Sequence, residues 1–135
     1  MKALKVVLVV MGVLCLVSAP GTVLPWSSVV GWAAIWGLQA PPDHPLVDYF
    51  VRMASLAFAL IGVFLLVLAT DPLRYRAMLV LTVCGCFAVA VVALVAGRLA
   101  EMPALWYVGD GVGSALAGVL ILAFWPREAE ATGAD

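Results

Sequence analysis

Charged positions are sparse along this chain, and the uncharged stretches between them set its organisation. No Asp, Glu, Lys or Arg occurs over residues 6–42, roughly twice the ~20 residues that one membrane-spanning helix requires. Pro20-Gly21 and Pro25 divide the run, because proline removes a backbone donor and clashes with the preceding turn. A first span is therefore expected over about 4–24, kinked or frayed near its outer end. The next segment, 26–40, carries Trp26, Trp32 and Trp36, the last two one helical turn apart, and Trp favours the lipid–water boundary. At ~1.5 Å per residue this piece reaches only about 23 Å, short of a ~30 Å hydrocarbon core. An interfacial or re-entrant helix or loop on the outer face is expected rather than an extra span.

Pro41-Pro42-Asp43-His44-Pro45 reads as a loop. A second span is expected over about 46–70, ended by Asp71-Pro72. Arg74-Tyr75-Arg76 opens a third over about 75–98, and the short Arg98 to Glu101 turn leads to a fourth over about 103–125. Pro103 suits a first helical turn, and Trp106 adds another interfacial aromatic. Residues 127–135 are acidic and small, the composition of a disordered tail. The expected architecture is all-α, an integral membrane four-helix bundle in a single domain over 1–126.

Basic residues fix the expected orientation, since short cytoplasmic flanks are enriched in Lys and Arg. Lys2, Lys5, Arg74, Arg76 and Arg127 fall on one side of a four-span arrangement, which places both termini inside. Five spans would put Arg74 and Arg76 outside. Lys2 and Lys5 before an apolar run and Val17-Ser18-Ala19 also fit a cleaved signal peptide. Against that reading, Pro20 comes directly after the cut, and Leu14 stands where a lipoprotein signal needs a small residue before Cys15.

Composition agrees with the pattern. The 135 residues are 66% hydrophobic and 11% charged, with mean hydropathy +1.17, whereas soluble domains run near half apolar and a quarter charged. Seven basic residues against eight acidic ones leave no field that would draw nucleic acid. Cys15, Cys84 and Cys86 lie within apolar runs and are expected to be small packing residues. His44 is the one histidine, which excludes two-histidine haem ligation within one chain, makes no zinc set, and reads as a solvated loop residue. No nucleophile, phosphate-binding or acid/base constellation is present.

Two charges fall within the spans. An ionisable side chain there costs about 2.5–3.5 kcal/mol at the bilayer centre on insertion scales, so Arg52 and Asp110 call for partners. Each lies about six residues from the outer start of its helix, which predicts similar depth and a pairing. Ser55, Ala59 and Gly62 share the Arg52 face, and Gly113 and Ala117 share that of Asp110. Such small residues let membrane helices approach, so the charged stripes are expected to be the packing stripes. Asp48, Arg98 and Glu101 complete an expected outer-leaflet polar layer. It serves either as an ion-pair network fixing helix register or as a small polar pocket roofed by 26–40.

Tyr49-x-x-Arg52-Met53-Ala54-Ser55, Gly62, Asp71-Pro72-x-Arg74-Tyr75, Gly97-Arg98 and Gly109-Asp110 resemble the BphX-like family of small four-helix bacterial membrane proteins, with a more distant likeness to DoxX-like proteins. The resemblance implies the four-helix architecture, an Arg/Asp outer layer and a multi-pass place in the bacterial cytoplasmic (inner) membrane. The family is named for operons of aromatic-compound breakdown and has no settled activity, so it implies little chemistry. The expected function is non-enzymatic, an accessory or interaction subunit that binds a partner helix or a lipophilic small molecule, with no cofactor. The alternatives are a quinone-linked oxidoreductase component and a small transporter acting as a homo-oligomer.

Overall fold

The computed structural model describes residues 2–35, 37 and 42–125. Among them are five α-helices and no strand: α1 (Lys2–Leu16), α2 (Trp26–Ile35), α3 (Pro45–Thr70), α4 (Arg76–Leu99) and α5 (Ala104–Ala123), with a 3-10 turn at Ala19–Thr22. Four segments are long and apolar enough to cross a membrane: Lys2–Thr22, Pro45–Thr70, Arg76–Leu99 and Ala104–Ala123. At ~1.5 Å per residue, α3, α4 and α5 measure about 39, 36 and 30 Å, each enough for a ~30 Å core. α2, with 10 residues, is not. Trp36, residues 38–40 and the tail at 127–135 lie outside the described residues.

Helix ends follow the local chemistry. α1 stops at Leu16 because Pro20 has no N–H for the Leu16 carbonyl, and its ring would collide with that carbonyl in a continued helix. The expected fraying is thus a change of helix type, from α to 3-10. α3 opens with Pro45 in its first turn, and His44 Nδ1 accepts the Leu46 N–H at 3.2 Å. His44 is therefore exposed but serves as an N-terminal cap.

The chain forms two compact units, Met11–Leu66 and Met1–Val10 with Val67–Asp135. In the first, α1 and α3 meet through glycine. A Cβ on Gly62 would lie 2.7 Å from the Gly12 carbonyl oxygen, and one on Gly12 would lie 3.0 Å from that of Gly62. Only hydrogen side chains permit such backbone approach. Ser55, Ala59 and Gly62 stand at i, i+4 and i+7 on α3, and Ser55 in turn fits against Gly21. Of the small residues on the Arg52 face, Ser55 and Gly62 meet the first span in this unit.

In the other unit α4 and α5 form an antiparallel hairpin. Tyr107 covers Gly97, Gly111 meets Leu94, and Gly118 meets Cys86 and Phe87. The turn is a Schellman closure. Met102 N–H donates to Gly97 O at 3.0 Å and Glu101 N–H to Arg98 O at 3.3 Å, with Glu101 at φ 53°. At the opposite end of the hairpin Lys5 Nζ donates to Thr70 O at 2.7 Å, and the Arg76 guanidinium lies 6.0 Å from the centre of the Trp125 ring. Leu4, Leu8, Leu68, Leu79, Ile121 and Pro72 are the most fully buried side chains.

Apolar side chains also dominate the exterior. Val10, Val13, Phe58, Leu60, Leu81, Val91, Val92 and Val112 are all at least half exposed. No more than 22% of any candidate span is buried. In water, apolar patches beyond a few hundred Å² are sites of association or aggregation. Against acyl chains they are the ordinary lipid-facing surface.

Candidate functional site

The Met11–Leu66 unit holds an open-sided cavity of about 180 Å³. Its walls come from the end of the first span (Val17, Ser18, Pro20, Gly21, Leu24), from α2 (Val29, Trp32) and from α3 (Val51, Ser55). It exists because α1 does not continue. The switch to a 3-10 turn at Ala19 and the break at Pro25 swing the chain aside, and α2 returns across the gap with Trp32 on it. Trp32 is 53% exposed, so its indole forms a wall without being locked in a core.

The cavity differs from the sequence expectation in character. The Trp-rich segment supplies one of its walls, and its lining is predominantly apolar rather than polar. The charged pair lies beside it. Arg52 Nε donates to both Asp48 carboxylate oxygens, at 3.0 and 3.1 Å, and Arg52 Nη1 donates to Thr22 O at 3.1 Å. Acid four residues before base is the favourable order on a helix, and Asp48 in the first turn of α3 also complements the helix dipole. The Thr22 carbonyl, at the end of the 3-10 turn, is one of the groups that a terminating helix leaves without an internal partner. Arg52 therefore caps that turn from another helix.

Ser18 makes a second polar tie. Its Oγ lies 2.7 Å from Cys15 O and 3.1 Å from Ser55 O, so its single proton serves these two carbonyls. Ser18 and the carbonyl of Thr22 were not singled out in the sequence. The available signal was Pro20, since a proline-terminated helix must find donors for its last carbonyls elsewhere.

Of the expected polar layer, the structure brings Asp48 and Arg52 together in this unit. Asp110, Arg98 and Glu101 belong to the other. Asp110 is exposed on α5, Arg98 is exposed in the last turn of α4, and Glu101 occupies the left-handed position of the turn. Trp26 is half-buried at the start of α2 and Trp106 half-buried in the first turn of α5. The expected α5 stripe is not the face that packs on α4. The hairpin packs on Tyr107, Gly111 and Gly118, whereas a Cβ at Gly109 or Gly113 would meet nothing within 4 Å. Gly109 and Gly111 are two residues apart, which puts them on roughly opposite faces of the helix.

Cys15, Cys84 and Cys86 form no disulfide among the described residues. Among the described residues no three His, Cys, Asp or Glu side chains come together as a metal site. Comparison with protein-family models, with curated proteins and with solved structures finds no match for this chain.

Proposed function

We propose that this chain is a small multi-pass protein of a bacterial inner membrane, with both ends in the cytoplasm, that acts as an accessory subunit by holding a lipophilic small molecule in the Val17 to Ser55 cavity. The observation that carries this reading is the cavity itself. An apolar void of ~150 Å³ accepts a guest the size of benzene, so about 180 Å³ suits one ring or the end of an acyl chain. Lipophilic guests reach such a site by partition from the bilayer, through its open side. The orientation rests on Lys2, Lys5, Arg74 and Arg76, and is favoured by the Lys5 and Arg76 contacts at one end of the α4–α5 hairpin, where cationic and aromatic anchors suit a cytoplasmic interface.

Quenching by a brominated ring tests the pocket. In lipid nanodiscs, 4-bromotoluene is expected to quench the wild-type protein saturably, and the Trp32→Phe protein only in linear proportion to the probe. Equal saturable quenching in both removes Trp32, and with it this cavity, as the binding site.

A second reading is favoured by one observation on α5. Asp110 is exposed there and Gly109 and Gly113 are open, a combination that suits a partner helix bearing a basic or hydroxyl side chain at matching depth. Asp110→Asn is then expected to release a partner that co-purifies with the wild-type protein in mild detergent. Unchanged co-purification would remove this reading.

A further inference from the structure

Resting on that reading of the pocket, we infer that its guest carries one neutral oxygen atom, and that Ser55 Oγ donates a hydrogen bond to it. Hydroxyls on helices usually spend their proton on a carbonyl three or four residues back. Thr70 and Thr82 do so, at 2.7 and 2.8 Å, as does Ser18 toward Cys15. Ser55 does not. Its backbone carbonyl accepts from Ser18, while its Oγ makes no hydrogen bond among the described residues. This unspent donor lines a cavity otherwise walled mainly by Val17, Leu24, Val29, Trp32 and Val51.

Gly21 faces the hydroxyl. A Cβ on Gly21 would lie 2.5 Å from Ser55 Oγ, so glycine there is what leaves room for the hydroxyl. In apolar surroundings an unmatched donor is costly, and a guest oxygen relieves that cost where a hydrocarbon does not. The guest is neutral because the adjacent charges are already matched. Arg52 is held by Asp48 and by Thr22 O, leaving no net charge to attract an anion. Ser18 contributes only lone pairs, its proton being committed to the Cys15 and Ser55 carbonyls, so an ether, carbonyl or hydroxyl oxygen is accepted through Ser55 in each case.

The test compares two probes of similar size, 4-bromotoluene and 4-bromoanisole, by Trp32-dependent quenching of the full chain in nanodiscs. Wild-type protein and Ser55→Ala are measured with both. The alanine variant keeps the backbone carbonyl that Ser18 uses, and its smaller side chain fits the same space. The ratio of the two apparent affinities, compared between the proteins, cancels the probes' different partition into lipid. A hydrogen bond of ordinary net strength corresponds to about three- to tenfold. The preference for 4-bromoanisole is expected to fall by that factor in Ser55→Ala, with 4-bromotoluene binding within about twofold of wild type. An unchanged ratio overturns the role of Ser55 while the pocket stands. Absence of Trp32-dependent quenching by either probe, in either protein, overturns the pocket reading and this inference with it.

Discussion

Replacing Gly62 by alanine probes the contact that holds the Met11–Leu66 unit together. The added Cβ would sit 2.7 Å from Gly12 O, 2.9 Å from Leu16 Cγ and 3.0 Å from Leu16 N. Two of these three atoms are backbone, so no rotamer change relieves the clash. Even close carbon–oxygen contacts between helices settle near ~3.3 Å, which means that the helices must part locally by about 0.6 Å. Overpacking of this kind costs about 1–3 kcal/mol, and alanine's higher helix propensity returns up to about 1 kcal/mol of it. Gly109→Ala is the matched control, since the same Cβ there meets nothing within 4 Å. The propensity term is common to both variants, so their difference isolates the contact. Gly62→Ala is expected to be about 1–3 kcal/mol less stable than Gly109→Ala, as read from unfolding midpoints in SDS-titrated mixed micelles followed by circular dichroism. If Gly62→Ala proves as stable as Gly109→Ala, the helices do not meet at this glycine and the reasoning fails.

Two further substitutions test the polar features. Glu101 occupies a left-handed conformation at the position where a Schellman turn favours glycine, so Glu101→Gly is expected to stabilise the protein by about 0.5–1 kcal/mol, and a lower unfolding midpoint would contradict that. A double-mutant cycle with Arg52→Met and Asp48→Ala is expected to give a coupling of about 0.3–1 kcal/mol for this half-exposed pair. Arg52→Met alone should cost more than Asp48→Ala alone, because it also strips Thr22 O of its donor, and the reverse order would refute the capping role.

How much of this was legible depends on the range of the interaction. The long helices follow from uncharged stretches bounded by Pro and Arg, because the period and length of apolar runs are local properties. α3 and α4 were expected over about 46–70 and 75–98, and occur at Pro45–Thr70 and Arg76–Leu99. The packing face of α3 was legible because its small residues repeat at helical spacing beside Arg52. On α5 the same argument picked Gly113 and Ala117 beside Asp110, whereas the hairpin contact with α4 uses another face. Four glycines, at 109, 111, 113 and 118, offered several equivalent ladders, and only the position of Tyr107 over Gly97 selects Gly111 and Gly118. The partner of Arg52 within its own unit was half legible. Asp48 one turn away was part of the expected layer, but a carbonyl on a 3-10 turn leaves no trace in residue types.

Where the donor for that carbonyl comes from bears on the order of assembly. Arg52 lies 30 residues beyond Thr22, and Ser55, whose carbonyl Ser18 reaches, lies 37 residues beyond Ser18. When the first span emerges from the ribosome, α3 has not yet been made, and the Thr22 oxygen must find its hydrogen bond in water. In the membrane orientation proposed above, the outer end of the first span would therefore stay at the membrane surface until α3 arrives, because an unsatisfied carbonyl is not tolerated in hydrocarbon. On that proposal, synthesis of a later helix would complete the insertion of an earlier one.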